Sequence, residues 1–517
     1  MGSTAFGHLV TMSAAAPTTG GLDCPSTDEN TVRIFRRLAE DAYGCLRTTV
    51  LLTFTVGCAV APVAAQDVVI KGGWLFDGVS DSLVPNSAIL VRSGKILSVG
   101  SRNMEPIEGE AQEVQLGDGE YIMPGMFDLH AHYAIDLFGD GRVDETHSYP
   151  TIFLANGVTS TFPAGEVDPD SMEMLRRRID AGVQVGPRIF NSGPYFGGAR
   201  EGWNRDATVE DIYREVDHWA AHGVRNFKAK RISPKHLRAL IDRAHLHGAT
   251  VTGHLDSGFR NSVNPRDAIL MGIDRIEHFL GGDAIASDRP AYQTLEFLNT
   301  DDPAIDAIIS LYLEHHVFFD ATLTAYGYFG RRDPDVYTYF DDELKYLTPY
   351  MRDVVEGRPP RPANEQFERI YWVKRRTVKA FYDAGGARWI TLGTDHPSWG
   401  EFFSGFSVHR ELQALVLSGI PAAAALKIAT INGARALNVS TYLGTIEPGK
   451  LADLVVLEGN PLADIRNTHR TRLVMKAGRF YDARRLLASV EGTIGPRGPD
   501  ENDNWTRRRR RGVGRRK

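Results

Sequence analysis

The stretch from Tyr121 to His132, YIMPGMFDLHAH, decides the fold of this chain. Its apolar run predicts a buried strand that leads into two histidines separated by one residue. Alternate side chains of a strand share a face, so we expect His130 and His132 to point the same way. Two neutral imidazoles on one rigid face are half of a site for a borderline cation such as zinc. A bare His-x-His more often only makes hydrogen bonds, so a metal site needs further ligands from elsewhere.

From residue 121 to about residue 439, short apolar strands alternate with amphipathic helical stretches. Eight strand–helix units over roughly 300 residues predict an α/β fold of the (β/α)8 TIM barrel type. A doubly wound open sheet is the alternative, but no Gly-x-Gly-x-x-Gly opens a helix in this sequence. The candidate strands are the 121–132 stretch and the runs near Val158, Arg188, Asn226, Thr250, Arg275, Val317 and Trp389.

The two segments that flank the predicted barrel are rich in sequence typical of β-strands. Residues 67–120 contain short apolar runs separated by turn signals such as Asp77-Gly78, and residues 440–485 have the same texture. We therefore predict one small β-sandwich-like domain built from both segments, with the barrel of residues 121–439 inserted between them. Residues 486–517 are predicted to be a disordered tail, whose Arg-rich end is a solvated charge block rather than a folded polyanion site.

Residues 1–65 are interpreted as an N-terminal extension and a signal peptide. An apolar run from Thr48 to Ala65 follows several arginines and ends in small residues, which predicts cleavage near Ala65. The protein is then exported, periplasmic or secreted if bacterial, and has no membrane span after cleavage. Lipidation at Cys58 stays open. All three cysteines precede residue 66, so the mature chain has no thiolate ligand or nucleophile.

The overall composition is ordinary for a globular protein. Apolar residues make up 42% of the 517, charged residues 24%, and the formal net charge is -6. Such a balance gives no general attraction to nucleic acid or to anionic membranes, the Arg-rich tail being the one exception. A small-molecule substrate is the expected partner, and a homo-oligomer is possible.

Chemically reactive side chains fall at the ends of the predicted strands. Each one has a simple structural explanation, such as a core histidine or a helix-capping aspartate. Their joint occurrence is different, because the carboxyl ends of all barrel strands meet at one mouth, where such folds have their active sites. The residues are His130, His132, Lys228, His254, His278 and Asp395.

From Asp67 to about Arg485 the sequence resembles the amidohydrolase superfamily, in its exported imidazolonepropionase-like and Xaa-Pro or Xaa-Arg dipeptidase-like branch. The resemblance is carried by MPGMFDLHAH, GVRNFKAK, TGH, RIEH and LGTDH, and by the stretches starting at Ala429 and Gly444. The aspartate that the family has before its lysine is Arg225 here, which weakens the transfer of a substrate but leaves the metal motifs intact.

The resemblance implies two divalent metal ions, with zinc as the expected metal. Lys228 would be carboxylated by CO2, and its carbamate would bridge the two ions, since the strand ends offer few carboxylates. One ion would have His130, His132 and Asp395 as ligands, and the other His254 and His278. Lys230 is the rival for the carbamate, two residues further along the same strand face.

The implied activity is hydrolysis of an amide C–N bond in a dipeptide, an N-acyl amino acid or a cyclic amide. A metal-bridging hydroxide would attack, and Asp395 would be the catalytic residue that transfers the proton. The alternatives are a lactone or ester hydrolase, a deaminase using the same site, and a metal-free binding module.

Substrate recognition is expected from loops at the strand ends. Arginines in these loops could bind a substrate carboxylate, although a solvated position is as compatible with the sequence for each one: Arg200, Arg231, Arg331 and Arg332. His396, directly after Asp395, either contacts substrate or caps a loop.

Overall fold

The computed structural model describes residues 67–101, 111–338, 343–396 and 402–506. The predicted signal peptide and the basic end of the tail from Arg507 lie outside these ranges. Among the described residues, no helix combines the length and the apolar character needed to cross a membrane.

Both ends of the described chain contribute strands to one mixed sheet. Gln112–Pro124 is its central strand, because it pairs parallel with Val68–Leu75 and antiparallel with Leu454–Leu457. The short strand Val84–Pro85 pairs with Val68–Leu75 off this path. In spatial order the sheet contains Arg479–Asp482, Thr471–Lys476, Leu454–Leu457, Gln112–Pro124, Val68–Leu75, Ser87–Arg92 and Lys95–Ser101.

This sheet curls back on itself. The Ile96 amide donates to the Lys450 carbonyl at 2.8 Å, and the Gly449 amide donates to the Ile96 carbonyl at 2.7 Å. The edge strand therefore returns to the segment that leads into Leu454. The curled sheet encloses a core of its own, which includes Ile70, Ile89 and Ile122.

The barrel strands follow the order that the sequence predicts, and all their pairings are parallel. Among the described residues, strands one to three form one ladder and strands four to eight form another. Backbone hydrogen bonds join the two ladders on both sides: Leu129 N to Leu392 O at 2.9 Å, and Phe196 N to Lys228 O at 2.9 Å. The predicted fold class is confirmed. From first to eighth the strands are Met126–Ala131, Val158–Pro163, Arg188–Ile189, Asn226–Lys230, Thr250–His254, Arg275–Glu277, Phe318–Asp320 and Ile390–Thr391.

Helices separate these strands, and many begin at a proline behind a capping side chain. Ser233, for example, accepts a hydrogen bond from the His236 amide before the helix Pro234–Leu246. A π-helical turn at Ile428–Asn432 separates the helices Ala422–Lys427 and Gly433–Ala436. The α-helices are Tyr149–Ala155, Pro169–Asp180, Val209–Ala221, Pro234–Leu246, Pro265–Leu270, Ala291–Leu295, Pro303–Glu314, Leu323–Phe329, Pro334–Tyr337, Pro349–Glu356, Glu365–Asp383, Ser407–Leu417, Ala422–Lys427, Gly433–Ala436 and Ala483–Ala488.

The stability of the protein should depend on the core of the sheet in which the two chain ends pair. Ile122 is fully buried in the central strand, so Ile122→Ala should lower the free energy of unfolding by about 2–5 kcal/mol through lost apolar contacts and a cavity. Val84 is 43% exposed, so Val84→Ala should change it by less than about 0.5 kcal/mol. Urea unfolding of both variants measures the difference. Equal effects would contradict this account of the sheet.

Candidate active site

The first and eighth barrel strands bring two histidines and an aspartate together. Asp395 Oδ1 lies 2.9 Å from His132 Nε2 and 3.2 Å from His130 Nε2. The Asp395 amide also donates to the His130 carbonyl at 2.9 Å, which fixes the two segments side by side. These three predicted site residues therefore converge on one point, the Asp395 carboxylate.

His278 and His254 extend this group toward strands five and six. The ring centroids of His278 and His130 are 5.0 Å apart, and those of His254 and His278 are 4.1 Å apart. His278 Nδ1 also lies 3.8 Å from Asp395 Oδ2. The four predicted histidines thus form one continuous cluster with Asp395.

Lys228 lies in the middle of its strand rather than at its end, and its Nζ contacts the carboxylate of Glu277. Both side chains are fully buried. Glu277 Oε2 lies 3.5 Å from His130 Nδ1 and 3.8 Å from His278 Nε2. Glu277 is therefore a functional candidate. The expectation that this region offers few carboxylates was wrong, because it left Glu277 out.

The reason Glu277 was missed is a break in the strand alternation. Neighbouring residues of a regular strand point to opposite faces, so an inward His278 predicts an outward Glu277. However, His278 has a φ of 75°, which takes it out of the extended conformation directly after the strand. Both side chains then reach the same interior. The signal in the sequence was the carboxylate that precedes the histidine in RIEH.

Lys230, the rival lysine, has different surroundings. Its Nζ lies 5.7 Å from the ring centroid of Tyr195, outside the contact between Lys228 and Glu277. Lys228 is therefore the lysine that the fold brings against a carboxylate of the histidine cluster.

A layer of buried polar groups lies against this cluster inside the barrel. The Thr252 hydroxyl donates to Glu277 Oε1 at 3.1 Å, and Arg275 Nε donates to the Thr252 hydroxyl at 3.1 Å. Asp320 pairs in register with Glu277 on the next strand, and burial raises the pKa of its carboxyl to about 8. Both carboxylate oxygens of Asp320 lack a hydrogen-bond partner among the described residues.

Burial also decides the protonation of the histidines. It lowers the pKa of His132 to about 4, and it lowers the pKa values of His130, His254 and His278 well below the usual range. Burial alone would raise the pKa of Asp395, but the neighbouring His130 and His132 outweigh it and hold that pKa well below its ordinary value. Neutral imidazoles and an ionised carboxylate are the forms that bind divalent cations.

Whether a metal ion fits this cluster can be judged from the ring nitrogens that lack a hydrogen-bond partner. His130 Nδ1, His254 Nδ1 and His278 Nε2 are buried and have no hydrogen-bond partner among the described residues. Buried polar atoms are normally satisfied, so these lone pairs call for a ligand. Two groups have ligand atoms within 4.8 Å of one another, namely His130, His132 and Asp395, and His130, Glu277 and His278. The donor set fits divalent metal ions.

The strand ends that carry the site are held in unusual backbone conformations. Non-glycine residues with positive φ end strands six, seven and eight: His278 at 75°, Thr322 at 48° and Asp395 at 45°. Gly393 has a related role, because a Cβ there would lie 2.1 Å from Asp320 Oδ2. Such conformations cost about 1–3 kcal/mol each and cluster at functional sites.

A cavity of about 640 Å³ opens beside His254. Tyr292 and Phe279 contribute aromatic surface to it, and the Tyr292 hydroxyl lies 3.2 Å from His254 Nε2. Three arginines also line it: Arg205, Arg231 and Arg260. The structure gives these three no ion pair and no side-chain hydrogen bond to another described residue. Asp256 also lines the cavity, so three arginines against one carboxylate leave its formal charge positive.

The other arginines considered for substrate binding are engaged elsewhere. Arg200 pairs with Glu215, and Arg331 pairs with Glu365 at 2.9 Å. Arg332 stacks 4.8 Å from the Tyr328 ring centroid. Of the four, Arg231 alone is among the residues lining this cavity.

His396 does not line the cavity either. It is fully buried, with its ring 5.0 Å from that of Tyr328 and 6.0 Å from that of Phe402. Among the described residues, the neighbours of its ring are therefore aromatic.

Solved structures share this architecture. A Xaa-Pro dipeptidase with bound methionine superposes with a TM-score of 0.60 at 21% identity, covering 81% of this chain and 100% of that one. Molinate hydrolase superposes with a TM-score of 0.62 at 21% identity, covering 84% of this chain and 99% of that one. At these identities the likeness shows the fold.

Proteins with similar sequences match this chain over short segments. The imidazolonepropionase of Shewanella frigidimarina is 32% identical over 135 residues, which are 24% of this chain and 30% of that protein. The chain thus matches less than a third of that relative's length. The model of the Amidohydrolase family, in contrast, matches residues 121–480, which include the whole barrel and every histidine of the cluster. The chain belongs to the Amidohydrolase family.

Proposed function

We propose that this protein is a metal-dependent hydrolase that cleaves an amide C–N bond in a small substrate with a negatively charged group. The observation that carries the proposal is the convergence of four neutral histidines, Asp395, Glu277 and Lys228 at one end of the barrel. Metal ligands must be deprotonated and preorganised, and this cluster has both properties before any cation binds.

Two cations would be held by the residues that the sequence singles out. His130, His132 and Asp395 would hold one cation, and His254 and His278 would hold the other. Nitrogen and carboxylate ligands suit zinc. When bound, such a pair polarises the scissile carbonyl and acidifies a water molecule.

Lys228 is proposed to carry a carbamate between the two positions. Two dications side by side need more negative charge than Asp395 and Glu277 supply, since all four histidines are neutral. Adding CO2 to the ammonium form of Lys228, with loss of two protons, replaces a cation by an anion where Nζ already faces the cluster. The buried contact with Glu277 supports Lys228 over Lys230 for this role.

Asp395 is proposed to carry the proton from the attacking water to the leaving nitrogen. Its carboxylate is ionised and held by His130 and His132, so it can accept the proton of the attacking water and deliver it to the leaving nitrogen. Its positive φ turns it inward over the cluster instead of along the strand. Meanwhile Tyr292 and Phe279 would pack against the apolar part of the substrate, and Arg231 would bind its anionic group.

One structural neighbour supports C–N cleavage, because a dipeptidase acting on Xaa-Pro substrates has the same fold. Ester or lactone hydrolysis and deamination are the alternatives, since they use the same kind of site. The cavity arginines favour substrates with a carboxylate, such as dipeptides and N-acyl amino acids. A metal-free binding module fits less well, because it would leave three buried ring nitrogens without partners.

The first test is metal content together with a hydrolysis panel. Purified protein supplied with zinc and bicarbonate should bind about two equivalents of metal and cleave dipeptides or N-acyl amino acids faster than lactones. A separate ammonia assay identifies a deaminase. Absence of bound metal together with no turnover across the panel would contradict the proposal.

Lys228→Met should reduce the metal content to one equivalent or fewer and lower kcat/KM by at least about 100-fold, since loss of a direct ligand costs more than loss of an outer partner. Lys230→Met is the matched control, because it removes the rival amine from the same strand. It should keep both metal equivalents. Metal analysis of the two variants decides which lysine bears the carbamate.

Arg231→Ala should raise KM at least about 10-fold for an N-acyl amino acid, because a charge-assisted hydrogen bond to the substrate carboxylate is lost. The corresponding N-acyl amino acid amide, which lacks that charge, should be unaffected. Arg331→Ala is the control variant, since Arg331 is paired with Glu365 at 2.9 Å. If both substrates respond equally to Arg231→Ala, the arginine does not recognise the carboxylate.

We also propose that the protein is exported, on the basis of the apolar run that ends at Ala65. Expression of the full chain in a bacterium should give a periplasmic or secreted product that begins at or near Gln66. N-terminal sequencing of that product measures the cleavage point. An unprocessed chain that stays in the cytoplasm would contradict the proposal.

A further inference from the structure

Lys374 is a buried lysine that the proposed chemistry does not use. It lies on the helix Glu365–Asp383 and is fully buried, yet no described carboxylate forms an ion pair with it. Instead its Nζ donates to two atoms of Thr322, the carbonyl oxygen and the hydroxyl Oγ1, both at 3.1 Å. The ring of Tyr326 covers it, with the centroid 3.3 Å from Nζ. A buried amine with no carboxylate in direct contact is costly, so its contacts need a reason.

Thr322 connects this amine to the histidine cluster. Its Oγ1 lies 2.8 Å from the Ala321 carbonyl oxygen and 2.8 Å from His278 Nδ1. A carbonyl oxygen only accepts hydrogen bonds, so the single hydroxyl proton is donated to Ala321. Oγ1 then has only lone pairs left for its other two neighbours, Lys374 Nζ and His278 Nδ1.

The tautomer of His278 follows from this arrangement. When the hydroxyl proton goes to Ala321, Oγ1 has no second proton to donate, so His278 Nδ1 carries a proton and donates it. A neutral imidazole has one N–H, so His278 Nε2 carries a lone pair. That atom is buried, lacks a hydrogen-bond partner among the described residues and lies 3.8 Å from Glu277 Oε2. It is therefore presented to the interior of the cluster as a ligand atom.

The backbone at Thr322 indicates that this arrangement is maintained at a cost. A β-branched residue with φ of 48° is a rare exception. Glu411 holds the segment in place, since its carboxylate accepts from the Leu323 and Thr324 amides at 2.8 Å each. The strain places the Thr322 hydroxyl between the buried amine and the histidine ring.

We propose that Lys374 and Thr322 are positioning residues that fix His278 in the Nδ1–H tautomer, so that Nε2 is available to a divalent cation. The proposal rests on the two-metal function proposed above and extends it to residues outside the cluster. Hydrogen-bond partners on the far side of a ligating histidine orient the ring and raise its basicity, and their loss typically reduces metal affinity or activity about 10- to 100-fold.

Three variants of the full chain separate positioning from a merely structural role. Thr322→Val removes the hydroxyl and keeps the β-branched shape, Thr322→Ser keeps the hydroxyl, and Lys374→Met removes the amine. With zinc and bicarbonate as the probe, chelator competition should show an affinity for the second metal equivalent about 10- to 100-fold lower in Thr322→Val. Thr322→Ser should stay near wild type. Lys374→Met should fall between them, because the hydroxyl keeps its contact with Ala321 but loses the donor that occupies one of its lone pairs.

A second readout does not depend on metal or on the folding of the Thr322 and Lys374 variants. Metal-free wild-type protein with ring-15N-labelled histidine should show the proton of His278 on Nδ1, with the resonance assigned by its loss in His278→Gln. A proton on Nε2 would overturn the proposal, as would wild-type affinity for both equivalents in Thr322→Val. If the wild-type protein binds no divalent cation at all, the proposed function fails, while the tautomer of His278 is still decided by the spectrum.

Discussion

The parallel arrangement of the barrel strands is the constraint on which this site depends. Strands that run the same way around a barrel end on the same side, so residues far apart in sequence meet there. His130 and Asp395 are separated by most of the barrel sequence, yet the backbone hydrogen bonds Leu129 N to Leu392 O and Asp395 N to His130 O join their segments directly. The site therefore exists only when the first and eighth strands come together, and its geometry depends on the pairing that joins the two ladders.

Burial gives this site its electrostatic character. It keeps all four histidines neutral and leaves three of their ring nitrogens without hydrogen-bond partners among the described residues. Charged groups are nevertheless present in the same interior, since Lys228 contacts Glu277 and Arg275 reaches it through Thr252. Buried charges are costly unless paired, and such pairs rarely add to stability. Their presence beside unpartnered ligand atoms is more consistent with chemistry than with folding.

Much of the fold and most of the site were accessible to sequence reasoning. The alternation of strands and helices predicted the barrel, and the His-x-His spacing predicted one shared face for His130 and His132. Glu277 was missed because strand alternation assigns it to the opposite face, and only the positive φ of His278 brings both side chains inward. Lys374 was missed for a related reason, because its helix follows the seventh strand and its amine reaches the cluster through a contact with Thr322. The arginines in the loops could not be ranked, because an ion pair such as that of Arg200 with Glu215 is a tertiary contact.

The sequence by itself determined the order of the strands, the residue types available as ligands and the family to which the chain belongs, because these follow from local periodicity and from motif spacing. The tertiary structure alone decided which groups share the interior. It brought Glu277 against Lys228, left Arg231 without a described partner in the cavity, and placed Thr322 between a buried amine and an imidazole. The physical reason is that desolvation and hydrogen-bond direction depend on neighbours in space, and in a barrel those neighbours come from strands and helices that are distant in the chain.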